Sequence, residues 1–599
     1  MTKNEMELKT KEKYINSLMI AALAAFTLFL FGPSQIYLPN SPMFSYPYKE
    51  VVLKFLPDVA IMWLFLAVVM FIFPLKFGLH KKVAVFILAG TALLWVQGNI
   101  LVWKYGVLDG KDIHWSEHTY KGIVDGVTWL VVLIAAFFAS SFVYRHARRI
   151  VVVLFLAQVL SIGVLFFQNP EAHVGKQYAL FDTANQYDFS SKRNVFIVIV
   201  DGFQSDLFQE ITGEDDKYKK MFDGFTYFRN ALAGFPLTLP SVPFILTGQR
   251  FDNSIPFPQY IDSVYFSSSS VLKVLKENGF RVDISMDCGR CFNRDKRLIS
   301  NLKMDTVSIS NRQAGYLFDL TLFRYLPHYL KKVIYNNQQW RFARYFRDEN
   351  EKDEALRLSR QYPQISGKFS LQAIRDLDDI RFVTALLAEA RATSQQDVFK
   401  FYHFKGIHPP FRMNEQLQYE IMKTNRHNWK RLGKGALELV NLFIEELKKQ
   451  KVFDQSLIFI IGDHGHSIGE LGLVVPPSMG KNSRNYTRVP KGVLESALPM
   501  ILVKPIGAVG EMQVSDAPVS LGDIPHTLFS LLGIQGDFAG ESMFSLDPKA
   551  VRTRRFSFFI WDRAQGGLEF LPSLQEYNVT GHSWFEENWQ SVPSASPKF

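Results

Sequence analysis

Cysteine is nearly absent: the 599 residues hold two, in the run Cys288-Gly289-Arg290-Cys291. Two thiols cannot complete a four-cysteine zinc site. In a domain outside the cytoplasm they would instead close a short local disulfide or stand as a bystander pair. Also missing is any segregated block of one charge. The formal net charge is +10, but Lys and Arg are spread among acids and no RNA- or DNA-binding motif occurs, which argues against nucleic acid as a partner. No small-residue cleavage site follows the first apolar run, which continues through Gly32-Pro33-Ser34. That run therefore reads as a retained anchor rather than a signal peptide.

What is present comes in two parts. Residues 1–167 carry five apolar runs, 15–31, 59–75, 83–103, 123–143 and 150–167, each about 17–25 residues and so long enough to cross a bilayer as a helix. Lys9, Lys11 and Lys13 precede the first run, Lys76, Lys81 and Lys82 fill the second connection, and Arg145, Arg148 and Arg149 fill the fourth. Basic short loops stay in the cytoplasm, so an odd number of spans puts everything after the fifth run outside. The expected topology has the N-terminus cytoplasmic and the second part outside the cytoplasm. The third connection, Lys104 to Trp115, is unusually polar and aromatic for a bare loop.

After a linker, 168–193, the composition becomes that of a globular domain, 194–599. Asn194-Val-Phe-Ile-Val-Ile-Val-Asp201 is a continuous β-branched run ending in a carboxylate, the pattern of a strand buried on both faces. Ser456-Leu-Ile-Phe-Ile-Ile-Gly-Asp463 repeats it and is followed by His464 and Gly465. Helical candidates lie between, so the expected fold is α/β, a mostly parallel sheet with helices on both faces and its site at the strands' carboxyl ends. Inside this domain, 316–346 interleaves basic and aromatic residues, as an amphipathic segment in the membrane interface would.

Two aspartates at strand ends and a histidine beside one of them suit a divalent cation, either Zn or Mn, with a second metal left open. Thr238, in Phe235-Pro-Leu-Thr-Leu-Pro-Ser-Val-Pro243, stands on a loop leading into a helix, where backbone N–H groups favour an anionic phosphate. Coordination by a cation would give its hydroxyl the nucleophilic character a free threonine lacks.

This arrangement resembles the alkaline phosphatase and sulfatase superfamily, in particular its membrane-bound phosphoethanolamine transferases and lipoteichoic acid synthase-like phosphoglycerol transferases. The resemblance spans about 194–540 and extends to the five preceding runs. It implies that Asp201, Thr238, Asp463 and His464 hold the metal and that Thr238 is the nucleophile. It implies that Arg294, in Phe292-Asn-Arg-Asp295, is a phosphate or head-group ligand, and that His408, in Gly406-Ile-His-Pro-Pro410, is a catalytic histidine touching substrate. His403 and His466 are further substrate-side candidates. Departures are an Asp-Gly first ligand motif, Phe292 in place of tryptophan and His466 in place of glutamate, which leave the donor head group open.

Threonine selects among the superfamily's reactions. Sulfatases oxidise a Cys or Ser to an aldehyde, whereas threonine's extra methyl would give a ketone, so phosphoryl chemistry is expected. The reading is a phospho-head-group transferase, with a phospholipid donor and a glycan or lipid acceptor of the cell envelope. A phosphodiesterase or phosphatase and an inactive lipid-binding module are the alternatives.

Overall fold

Helices form first along the chain because its apolar runs have no other way to satisfy their backbone in a lipid environment. In this computed structural model the described residues are 3–44, 46–73, 78–106, 108, 113–172, 177–285, 291–306, 308–336, 339–343, 349–466, 489–560 and 569–592. Five helical stretches are long and apolar enough to cross a membrane: Thr10–Ser41, Tyr48–Ile72, Leu79–Asn99, Trp115–Phe138 and Ser140–Gln168. Helix α1 (Lys3–Phe26) continues through a π-helical turn, Thr27–Phe31, into Gly32–Tyr37. The others are α2 (Tyr48–Ile72), α3 (Leu79–Asn99), α4 (Thr119–Phe138) and α5 (Ser140–Gln168). The run expected at 123–143 is broken at Ala139, whose ψ of 15° ends α4 immediately before α5 begins. Leu64, Leu130 and Leu160 are each more than 60 % exposed, as lipid-facing positions are.

The chain divides into two units, one of Met1–Tyr178 with Met304–Lys352, the other of Ala179–Lys303 with Asp353–Phe599. A stretch interior to the α/β sequence thus belongs with the apolar helices. There it forms α6 (Asn311–Tyr325), opened by a capping box between Ser310 and Gln313, and α7 (His328–Ile334). Within this unit the polar third connection packs on that insert, Tyr105 Oη lying 2.8 Å from His328 Nδ1.

The second unit is built on a seven-stranded sheet. Its strands are β1 (Asn194–Val200), β2 (Thr226–Phe228), β3 (Arg281–Ser285), β4 (Val398–Phe404), β5 (Ser456–Ile461), β6 (Ile501–Lys504) and β7 (Gln513–Ser515), in the spatial order β7-β2-β6-β5-β1-β4-β3. Only β6 runs antiparallel to its neighbours, so the sheet is mostly parallel, as expected. All seven residues of β1 and all six of β5 are buried, because a core lies on each face. Val195, Ile197 and Ile199 enter one core together with Val242 and Ile245 of the helix Thr238–Thr247. Phe196, Val198 and Val200 enter the other, with Ile380 of α8 (Asp378–Glu389) and Trp429 and Phe443 of α9 (Arg426–Lys449). A three-stranded antiparallel sheet, Thr553–Phe558, Gln575–Thr580 and Trp589–Val592, adds to the first core through Phe556, Tyr577 and Trp589. Cys291 is disulfide-bonded, while Cys288 lies outside the described residues.

Candidate metal and nucleophile site

Parallel register assembles the site. Ser456 and Val398 both pair with Asn194, so the three central strands end side by side. Counting on from those pairs, Asp463 falls level with Asp201, and His403 pairs with Ile199 two residues earlier. Side chains alternate along a strand, and Asp201, His403 and Asp463 share the parity of Ile199, Phe401 and Ile461. Those three residues belong to the core under the helix Thr238–Thr247, so the donors and the threonine helix meet on one face.

One donor atom each from Asp201, His403 and Asp463 lie within 4.8 Å of one another. His464 Nε2 stands 3.5 Å from Asp201 Oδ1, 3.6 Å from Asp463 Oδ2 and 3.4 Å from Thr238 Oγ1. His403 Nε2 is 3.8 Å from Asp201 Oδ2. Ligands held ~2.1 Å from a common cation at tetrahedral angles stand about 3.4 Å apart, so these separations have the scale of a coordination shell. The remaining valences agree. Asp463 Oδ1 accepts from the Gly202 and His464 N–H groups at 3.2 and 3.1 Å, whereas buried Asp463 Oδ2, Asp201 Oδ1 and His403 Nε2 have no hydrogen-bond partner. A buried polar atom left unsatisfied is costly, and here three converge on one point, which fits a cation.

Local chemistry sets each group for that task. His464 Nδ1–H donates to Gly465 O at 2.6 Å, which leaves Nε2 with its lone pair facing the carboxylates. Burial pushes the His403 pKa down to about 4, so this imidazole is neutral and can also donate a lone pair. Burial and the adjacent Asp463 carboxylate push Asp201 well above the usual carboxylate range. Asp463 is equally buried, but the groups facing it, His464 first and the Gly202 N–H among the rest, outweigh that cost and hold it below its ordinary value. Two carboxylates this close repel until a cation or a proton intervenes.

Backbone detail keeps the pair in place. Gly202 has φ of +70°, a left-handed turn after Asp201 that a side chain would strain, and this turn aims its N–H at Asp463. Gly406, also left-handed at φ +54°, lies against Asp201, and an added Cβ there would come within 2.8 Å of the Asp201 nitrogen. The carboxylate of Asp379, at the start of α8, accepts from the Lys405 and Gly406 N–H groups at 2.9 and 3.1 Å. It thereby fixes the turn leading to His408. Burial raises the pKa of Asp379 to about 6. Nothing in the sequence pointed to Asp379, because an acid in a helix's first turn is an ordinary dipole partner.

The remaining candidates are held by contacts of their own. His408 Nδ1–H donates to Pro409 O at 2.6 Å, and its ring lies 5.7 Å from that of His466. His466 is held through its backbone N–H, which donates to Gln204 Oε1 at 3.0 Å. Arg294 stacks over the Phe181 ring, 5.0 Å from its centroid. Thr238 is the first residue of its helix; Pro240 carries no N–H and the Ser241 N–H donates to Leu237 O at 3.3 Å, so of the first turn the Thr238 and Leu239 N–H groups lie outside the helix's own bonding.

The family model described as Sulfatase matches residues 193–534, more than half of the chain. None of the curated proteins matches the sequence. Among solved structures, the chain is similar to the lipoteichoic acid synthase LtaP from Listeria monocytogenes, at 13 % identity over 67 % of this chain and 88 % of that one, with a TM-score of 0.33. It is similar to the C-terminal periplasmic domain of EcEptC from Escherichia coli, at 13 % identity over 61 % and 92 %, TM-score 0.32. A third likeness is to a protein in the alkaline phosphatase superfamily from Vibrio parahaemolyticus, at 12 % identity over 69 % and 85 %, TM-score 0.34.

Proposed function

The chain belongs to the sulfatase family, and from that premise we propose that it is a membrane-anchored, metal-dependent transferase of phospho-head-groups. It moves phosphoethanolamine or phosphoglycerol from a phospholipid to a glycan or lipid of the cell envelope, through a phosphothreonine on Thr238. The observation that carries this reading is the threonine hydroxyl 3.4 Å from His464 Nε2, beside buried carboxylate oxygens that lack partners. A threonine there cannot become the aldehyde that sulfate-ester hydrolysis uses in this family, yet it can take a phosphoryl group.

Asp201, Asp463, His464 and Thr238 would hold the cation, with His403 as a further donor. When bound, a divalent ion supplies charge that favours the threonine alkoxide and neutralises the phosphate oxygens. The chain's own groups do the rest. Thr238 gives up its hydroxyl proton, its Oγ–P bond forms as the P–O bond to the lipid alcohol breaks, and that alcohol leaves protonated. The free N–H groups of the helix's first turn, and Arg294, face the phosphate. His408, its Nδ1–H committed to Pro409 O, presents Nε2 to take the proton of the acceptor hydroxyl. That oxygen then displaces Thr238, which recovers a proton. Five apolar stretches keep this cycle beside a donor that never leaves the membrane. The catalytic unit works on the extracytoplasmic side of the inner membrane.

Mass spectrometry of protein incubated with labelled phosphatidylethanolamine or phosphatidylglycerol tests the reading. The expected result is a phospho-adduct on the Thr238 peptide, whose mass identifies the head group and which acceptor addition discharges. An unmodified peptide together with full turnover by Thr238→Ala would overturn it. Discharge to water alone, whatever the acceptor, would mark a phosphodiesterase.

A further inference from the structure

Helix α7, in the insert of the first unit, shows an apolar side outward. On α7 the buried residues are His328, Lys331 and Ile334, while Tyr329, Leu330 and Val333 are 61 %, 46 % and 53 % exposed. A helix lying on a water-facing surface buries its apolar side and shows its polar one. Here His328 and Lys331 turn inward beside Ile334, while Tyr329, Leu330 and Val333 turn outward with Lys332, so the exposed side is mostly apolar, as expected when the surroundings are hydrocarbon.

The inward groups are satisfied within the unit, as a lipid environment demands. Asp125 of α4, fully buried, accepts from Trp103 Nε1 at 2.7 Å, from the His328 N–H at 2.7 Å and from Gln97 Nε2 at 3.2 Å. Lys331 Nζ donates to the Phe323 and Arg324 carbonyls, and Arg324 Nε donates to Gly98 O at 2.7 Å. On α6, buried Asp319 accepts from the Phe342 and Ala343 N–H groups at 2.9 and 2.7 Å, and Thr321 donates to Leu317 O at 2.8 Å.

Three membrane helices are cut back to receive the insert. A Cβ on Gly32 would come within 2.3 Å of Thr321 Cγ2, one on Gly98 within 2.6 Å of the Tyr325 ring, and one on Gly122 within 2.7 Å of the Tyr329 ring. Gly98 lies one residue from the end of α3 and Gly122 in the first turn of α4, so the seat is at the end of the bundle where α3 stops and α4 starts. Tyr329 of α7 thus packs on Gly122 of α4, a helix whose Ile123 and Val127 are 58 % and 56 % exposed on a span apolar enough to cross a membrane.

We propose that α6 and α7 are a re-entrant, lipid-embedded element: Tyr329, Leu330 and Val333 insert into the hydrocarbon edge of the bilayer leaflet at that end of the bundle, with Lys332 reaching its phosphates. The occupant of this face is phospholipid, because its apolar groups stand on a helix packed on α4, a span apolar enough to cross a membrane, and the exposed cation among them, Lys332, can pair with head-group phosphate. Catalytic sequence on either side of 304–352 is thereby moored to the membrane at a second place, independently of the chemistry at Thr238.

Depth measurement by spin labels tests this on the full chain in phosphatidylethanolamine and phosphatidylglycerol vesicles. Leu330→Cys and Val333→Cys change exposed side chains and so leave packing intact, and the disulfide-bonded Cys291 takes no label. Val131→Cys serves as the lipid reference and Val509→Cys, 82 % exposed in the other unit, as the water reference. The expected result is that labels at 330 and 333 relax more with oxygen than with a water-soluble nickel chelate, as at 131. Nickel accessibility at both sites equal to that at 509 would overturn the proposal, whatever the protein's catalytic activity.

Discussion

Helices α7 and α9 bury different kinds of residue. In α9, Trp429, Val440 and Phe443 are buried, while Lys430 and Arg431 reach outward to pair with Glu214 and Glu420 at 2.5 and 2.8 Å. In α7, His328 and Lys331 are buried while Tyr329, Leu330 and Val333 are exposed. Burial of apolar surface stabilises the α/β unit, at roughly 25 cal/mol per Å² removed from water. That term is absent between helices in lipid, where close packing at glycines and satisfied hydrogen bonds must serve instead. A polar group is therefore a risk in the core of one unit and a fastener in the other.

The comparison can be broken by substitutions that act on one unit only. The largest effect is expected for Thr238→Ala, which should lower head-group transfer by ~10⁴-fold or more, since removing a nucleophile leaves only binding and electrostatic contributions. Thermal unfolding of the purified protein should barely move, and a substantial residual rate would mean that another group accepts the phosphoryl.

Next, Asp463→Asn should weaken metal retention by at least ~100-fold, because it removes a donor rather than one of the outer partners worth 10- to 100-fold. Elemental analysis after gel filtration reads this directly. Retained stoichiometric metal would place the cation elsewhere.

In the helical unit, Asp125→Ala removes the acceptor shared by Trp103, Gln97 and His328. The expected cost is about 3 kcal/mol, the scale of a buried charged acceptor lost from several donors. It should appear as a lower unfolding temperature in detergent. Metal content should stay at the wild-type level, and its loss would show that the two units are not separable in this respect.

The smallest effect concerns pH and the α/β unit. Burial pushes the Lys504 pKa down to about 8, from an ordinary 10.5. The unfolded chain then binds the extra proton between those values, so this lysine's contribution to stability rises with pH from about 8 to 10.5 and falls as pH drops. Lys504→Met should flatten that slope by on the order of 2 kcal/mol across the window, measured by urea titration at several pH values. An unchanged slope would mean that Lys504 is solvated.

Much of this was readable in advance. The apolar runs, the two buried strands and the aspartate closing each of them announce five membrane helices and a parallel sheet with carboxylates at its edge. Hydrophobic periodicity is local, so a linear sequence carries it in full. The division at Ala139 was not readable, because a single backbone dihedral, and no breaking residue, makes it.

What the sequence determined by itself was composition at each place: Asp201 at one strand end, Asp463 and His464 at another, and Thr238 opening a helix. Tertiary structure alone decided which of these meet. The register of β4 against β1 brings His403 to the two carboxylates, and Asp379 reaches across from α8 to hold the turn before His408. It also decided that 304–352 groups with the membrane helices. The physical reason is common to all three. Register, cross-element hydrogen bonds and the seats left by Gly32, Gly98 and Gly122 depend on pairs of residues tens to hundreds of positions apart, and no local pattern records such a pairing.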